Sequence, residues 1–172
     1  MTTPRSASKT DSKTTAKTAT TKAPHDAIAL LKADHRLVED LFEQYEKSKK
    51  SAKKVAIAKN ICDELTVHAA IEEQAFYPKV KEALGDGTDL VNEAAVEHAS
   101  LKWLIAQIQK EAPDSEFYDA KVKVLQEYVS HHVKEEEKEM FPEVKKSDLD
   151  IVALGDELQQ LKAELKQKLV AH

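Results

Sequence analysis

One pattern occurs twice in this chain, 64 residues apart. His68-x-x-x-Glu72-Glu73 is followed by two residues, the bulky pair Phe76-Tyr77 and Pro78; His132-x-x-x-Glu136-Glu137 is followed by two residues, Met140-Phe141 and Pro142. A second pair of histidines repeats with it, in Asp34-His35 and Glu97-His98, 63 residues apart. The apolar residues keep the same register. Ile28, Leu31, His35, Val38, Phe42 and Tyr45 step by three and four, as do Val91, Ala94, His98, Leu101, Ile105 and Ile108, which is one face of a helix. Ala58, Ile61, Leu65, His68 and Glu72 match Val122, Leu125, Val129, His132 and Glu136 in the same way. The chain thus reads as two copies of a helix pair, an internal repeat of 28–78 against 91–142, with helices predicted near 26–49, 53–83, 88–111 and 115–145.

The breaks between these helices are short: a Lys/Ser cluster at 47–54, Gly85-Asp86-Gly87-Thr88, and Ala112-Pro113-Asp114-Ser115. Long helices joined by short loops pack against their neighbours in alternating directions, so the expected fold class is all-α, an up-down antiparallel four-helix bundle over 25–146. A further stripe of Ile151, Leu154, Leu158, Leu161, Leu165 and Leu169 predicts an additional amphipathic helix in 147–172. That helix is either an appendage of the bundle or a surface for a protein partner. Pro78 and Pro142 are expected to kink or end the motif helices, because proline lacks the N–H and its ring clashes with the preceding turn.

Residues 1–24 are Thr, Ser, Ala and Lys with two prolines and no aliphatic residue after Met1. Such a segment buries too little surface to offset its ordering entropy, and disorder is expected. Its composition favours a solvated tail over a contact for nucleic acid or another anionic polymer, or an organelle-type leader, and it has no apolar stretch of the secretory kind. The net charge of −5 divides into about +4 for this tail and about −9 for the rest, and an acidic bundle is a poor docking surface for nucleic acid. No apolar run approaches the roughly 20 residues of a membrane span. The lone Cys62, beside Ile61, leaves no internal disulfide, fits a reducing, cytoplasmic setting, and reads as a small core residue.

Each inward histidine stands where its stripe assigns a core position. A buried imidazole needs partners for both ring nitrogens, and a buried carboxylate needs a compensating charge. In His68-x-x-x-Glu72 and His132-x-x-x-Glu136 the two side chains lie one turn apart on one face. With His35 and His98 from the other two helices, four imidazoles and two carboxylates can meet at one level of an antiparallel bundle. Two cations bridged by Glu72 and Glu136 would satisfy all six groups; a metal-free bundle would leave most of them unpaired. Imidazole with carboxylate suits iron, manganese or zinc and offers no soft sulfur for copper(I). A bridged pair with an open position favours iron and dioxygen chemistry. The Glu-x-x-His pattern of ferritin-like di-iron bundles is absent, since no histidine here follows a glutamate by three.

Other polar residues divide by position. Glu73 and Glu137 adjoin the candidate ligand glutamates and are candidates to orient imidazoles. His131, beside His132 and matched by Val67 in the first repeat, is an extra ligand, a donor to a ligand, a pocket proton carrier or an interhelical contact. Asp34 and Glu97 precede His35 and His98, and neighbouring helix positions diverge by about 100°, so both read as surface charges. His25 and His172 lie outside the helices and read as solvated.

These residues resemble the hemerythrin-like family, in its branch with the His-His-Glu cation-binding motif. The resemblance spans about 26–145 and rests on Asp34-His35, His68-x-x-x-Glu72-Glu73, Glu97-His98 and His132-x-x-x-Glu136-Glu137. It implies a non-haem, oxo- or hydroxo-bridged di-iron centre, with His35, His68, His98 and His132 as terminal ligands and Glu72 and Glu136 as bridges. The oxygen-carrying hemerythrins of marine invertebrates use five histidines, with HxxxH on the third helix and His-x-x-x-x-Asp on the last. Here Lys102 stands four after His98, and the last helix has His-x-x-x-Glu. The wider family implies oxygen or nitric oxide sensing, peroxide turnover, iron handling, or repair of iron–sulfur centres; the repair proteins carry a cysteine-bearing N-terminal domain, whereas the single cysteine here is Cys62.

The leading expectation is a protein holding two iron ions, with zinc or manganese as alternatives, that binds O2, NO or H2O2 for sensing, storage or stress response. A second is a di-iron enzyme with catalase- or peroxidase-like or iron-centre-repair activity, in which His131 or Glu73 moves protons. A third is a structural or partner-binding bundle with zinc or no metal.

Overall fold

The computed structural model describes residues 26–85 and 89–171. The expectation of disorder over 1–24, and the readings of His25 and His172, lie outside the described residues. Asp26 opens α1 (Ala27–Lys47), its carboxylate accepting from the Ala29 N–H at 2.7 Å, which satisfies one of the donors every helix start leaves free. The chain continues as α2 (Ser51–Ile71), α3 (Tyr77–Leu84), α4 (Asp89–Lys110), α5 (Tyr118–Glu135), α6 (Phe141–Lys146) and α7 (Ile151–Val170). α2 runs into α3 through a π turn, Glu72–Phe76, and α5 into α6 through a second, Glu136–Met140. The two composite helices, with α1 and α4, make the four-helix bundle.

The prolines do not end the motif helices. Pro78 and Pro142 each lie in the first turn after a π turn. Proline can donate nothing to the carbonyl a turn behind and crowds it. The helix instead takes in one extra residue ahead of the ring: Tyr77 N–H bonds to Glu72 O, and Phe141 N–H to Glu136 O, each five residues back. Both π turns begin on the glutamates of the repeated motif.

Every residue of the four sequence stripes is buried. They form two apolar clusters. One gathers Ile28, Leu31, Ile71, Phe76, Val80, Phe141 and Val144. The other gathers Val38, Phe42, Ile61, Leu65, Leu101, Ile105, Leu125 and Val129. On α1 the break between them falls at His35, and on α4 at His98. Each buried Leu, Ile or Phe contributes about 1.5–3 kcal/mol, so a polar layer is clamped between two apolar plugs. Cys62 is buried in the second cluster, where burial pushes its thiol up to about 12.

α7 folds back across α1 and α2. Leu154 and Leu158 are buried in the first cluster, with Ile151, Leu161 and Leu165 partly buried against it, while Leu169 is 40% exposed. Most of the stripe that could have served a partner therefore packs within the chain. The approach is close at Gly155, where a Cβ would fall 2.8 Å from Ala27 N and Asp26 C; glycine alone fits. No helix among the described residues is long and apolar enough to cross a membrane.

Candidate metal centre

The polar layer holds Asp34, His35, His68, Glu72, His98, His132 and Glu136, all at most 6% exposed. α1 and α4 each bring one inward histidine. α2 and α5 bring the other two, each with a glutamate four residues later at the head of the π turn. His68 Nε2 lies 3.2 Å from Glu72 Oε1, and His98 Nε2 lies 3.3 Å from Glu72 Oε2. One carboxylate thus spans the layer from the first repeat to the second. Glu136 Oε2 faces His35 Nε2 at 3.2 Å and His132 Nε2 at 3.6 Å, and His98 Nε2 and His132 Nε2 are 3.1 Å apart.

Among the described residues, His35 Nε2, both His68 ring nitrogens, both Glu72 oxygens and Glu136 Oε2 are buried without a hydrogen bond. Native proteins rarely leave such groups unpaired. The donor atoms of the layer sort into two overlapping sets, each within 4.8 Å: His35, His68, Glu72 and Glu136, and Glu72, His98 and His132. Two cations sharing Glu72 fit this geometry and chemistry, because neutral imidazole and carboxylate are ligands of iron, manganese and zinc.

Each imidazole also meets a carboxylate at Nδ1. Glu137 Oε1 lies 2.9 Å from His35, Glu73 Oε1 3.1 Å from His98, Glu97 Oε2 2.7 Å from His132, and Asp34 Oδ2 3.6 Å from His68. In His35, His98 and His132 an Nδ1 proton held in this way turns the Nε2 lone pair inward; at His68 the Asp34 carboxylate is an electrostatic contact, too long for a hydrogen bond. Asp34 and Glu97 are therefore not surface charges: Asp34 is buried and Glu97 half-buried. The 100° argument considered one helix alone, whereas in a bundle a residue beside the core stripe points at the neighbouring helix. Burial alone would raise the Asp34 carboxyl, but His68 and Lys162 outweigh it and hold it below its usual range. Burial likewise opposes charging His132, yet Glu136, Glu97 and Glu72 lift it to about 9.

The remaining candidates fall outside the layer. His131 is exposed and pairs with Glu135 at 3.1 Å and Glu97 at 3.4 Å. Lys102, where an HxxxH motif would have its second histidine, instead donates to Glu73 at 2.6 Å.

Tyr77 belongs to the site although its sequence context reads as apolar bulk. Its hydroxyl donates to Glu136 Oε1 at 3.0 Å and lies 3.3 Å from His98 Nε2. Burial, then Glu72 and Glu136, raise this phenol well above its ordinary value, so it stays a neutral donor. Its repeat counterpart, Phe141, stacks on His35 at 6.0 Å and has no hydroxyl to offer. The two halves of the layer are thus chemically unequal. Beside them lies a cavity of about 20 Å3 whose lining includes all four histidines with Val38, Leu65, Leu101, Ile105, Val129 and Val133, room for about one water-sized molecule.

Comparison with known proteins agrees with the helical fold. A crystal structure of a hemerythrin HHE cation-binding domain-containing protein from Mycobacterium kansasii superposes with a TM-score of 0.73 at 21% identity, over 85% of this chain and 90% of that one. A curated relative from Nostoc sp., named a DNA nickase, is 28% identical over 142 residues, which make up 81% of this chain and 40% of that protein. The chain thus spans less than half the length of that relative. Residues 26–144 match the hemerythrin HHE cation binding domain, and the chain belongs to that family.

Proposed function

We propose that this chain binds two iron ions in the His/Glu layer and takes up a small ligand, O2, NO or H2O2, beside them. The observation that carries the reading is the convergence of buried His and Glu donor atoms in two sets on one level of the bundle, with Glu72 common to both and without a hydrogen bond at either oxygen. His35, His68, His98 and His132 would be terminal ligands, and Glu72 and Glu136 bridges. When bound, the iron pair would supply a redox-active, Lewis-acidic centre. The chain's own residues do the rest. The Nδ1 carboxylates fix the imidazoles, the apolar plugs exclude water, and Tyr77 offers a neutral O–H next to Glu136.

The size and lining of the cavity favour a diatomic or similarly small ligand. Its apolar wall suits a neutral molecule, and its volume leaves no room for a larger substrate. The lone buried Cys62 suits a reducing cytoplasm. A nucleic-acid substrate is disfavoured for the bundle, because it is acidic.

Metal analysis and an optical spectrum of protein purified in air test the proposal. Two irons per chain, with oxo-bridge absorption in the near ultraviolet, are expected. Zinc alone, or no metal after iron-replete preparation, moves the weight to a structural bundle. Tyr77 gives a specific reason to keep peroxide turnover as a second reading, since a buried phenol beside the layer can deliver a proton. Steady H2O2 consumption that falls in Tyr77→Phe supports the enzyme; a stable O2 or NO adduct without turnover supports the binder.

A further inference from the structure

All four Nδ1 carboxylates face a basic side chain in turn. Arg36 and Lys32 hold Glu137, Lys102 holds Glu73, and His131 faces Glu97. These partners all come from the bundle helices. Asp34 differs, because its partner is Lys162 of α7. Asp34 is also the most enclosed of the four, with 8% of its side chain exposed against 20% for Glu137, 24% for Glu97 and 33% for Glu73. An ionised carboxylate so deeply buried is strongly destabilising without a compensating charge, and the Lys162 ammonium supplies it.

The helix that carries Lys162 is held firmly. Leu154 and Leu158 are fully buried, the start of α1 lies so close to Gly155 that a Cβ there would fall 2.8 Å from Ala27 N, and Lys166 pairs with Glu64 of α2 at 2.7 Å. Among the described residues the second repeat lacks this arrangement: Glu97, the counterpart of Asp34, has beyond His132 the exposed His131 of its own half as its basic partner. We infer that α7 is a working part of the metal centre, with Lys162 a positioning residue that sets His68 through Asp34 and so governs one of the two metal positions. The inference rests on the metal-binding reading above. It makes the His35/His68 position dependent on α7 and the His98/His132 position independent of it.

The test compares the full-length chain with Lys162→Met, Lys162→Arg and Lys166→Met. Metal-free proteins are titrated anaerobically with Fe(II), and the His68 tautomer is read by nitrogen-15 NMR of the metal-free chains. Lys162→Met is expected to weaken one of two Fe(II) sites by about tenfold or more and to shift His68 away from the Nδ1–H form. Lys162→Arg should retain both properties. Lys166→Met, which removes the neighbouring tether of the same helix, should match the parent chain. Lys162→Met matching Lys166→Met in both readouts overturns the inference. Should the parent chain take up no Fe(II), the metal-binding reading fails by itself. The tautomer then decides: an unchanged His68 in Lys162→Met overturns the link to α7, and a changed one supports it.

Discussion

Glu97 receives His132 Nδ1 at 2.7 Å and is itself held below the usual carboxylate range, first by that bond and against its partial burial. Glu97→Gln keeps the shape but loses the charge that favours the Nδ1–H tautomer. Metal affinity is expected to fall by about 10- to 100-fold with little loss of fold; competition against a chelator of known affinity measures it, and parent-like affinity would count against the orienting role. The protons of the layer make a second test. His132 is lifted to about 9 in the metal-free chain, and an imidazole must lose this proton to bind a metal. Binding therefore displaces this proton below about pH 9, and affinity should drop by about tenfold per unit of pH as the medium is acidified. Fe(II) or Zn(II) affinity that stays flat between about pH 6 and about pH 9 contradicts this. The six inward His and Glu residues were legible in the sequence because helical spacing assigns them to the core. Asp34, Glu97 and Tyr77 were not, since their roles depend on what a neighbouring helix presents. Tyr77 also stands where the second repeat has Phe141, so the repeat itself argued for apolar bulk.

The helices carry their own lesson. Stripe periodicity located all four bundle helices to within a few residues, because burial on one face decides a long helix. It could not reveal the π turns, since one extra residue per helix is invisible to a pattern of threes and fours. Proline five or six residues after the repeated Glu-Glu pair is the available signal, and by itself it predicts a kink or an end and not an added residue. The docking of α7 was equally hidden, because an amphipathic stripe does not say which groove it fills. Gly155 now gives that docking a test. Alanine favours a helix interior over glycine by about 1 kcal/mol, yet a Cβ here meets Ala27 N and Asp26 C at 2.8 Å. Backbone atoms at a helix start cannot step aside as a flexible side chain can. Gly155→Ala is therefore expected to destabilise the chain by about 1–3 kcal/mol, as overpacking does, with α7 amides exchanging faster than those of α4. A urea melt and hydrogen exchange measure both; an unchanged or higher midpoint would show that α7 sits more loosely than this packing implies.

At the scale of the whole molecule, the fold is two apolar plugs joined through a layer that is poorly satisfied by protein groups alone. His35, His68, Glu72 and Glu136 keep buried atoms without hydrogen bonds, and each such atom destabilises by about 1–3 kcal/mol. Raised pKa values at His35 and His132, where burial opposes protonation and the carboxylates overcome it, offer the metal-free chain partial relief through buried imidazolium. Cations at the layer would satisfy the same atoms without protons and bind only the folded state. Such a ligand at 1,000 times its dissociation constant stabilises by about 4 kcal/mol, and in a chain of this size each kcal/mol shifts the melting temperature by about 2–4 °C. Chelation at neutral pH should accordingly lower Tm by roughly ten degrees, reversibly on iron readdition, while Glu72→Ala, with no shared carboxylate left, should melt alike with and without iron. A melting profile indifferent to chelation would mean that the plugs alone hold the bundle, and would favour the structural reading over the metal centre.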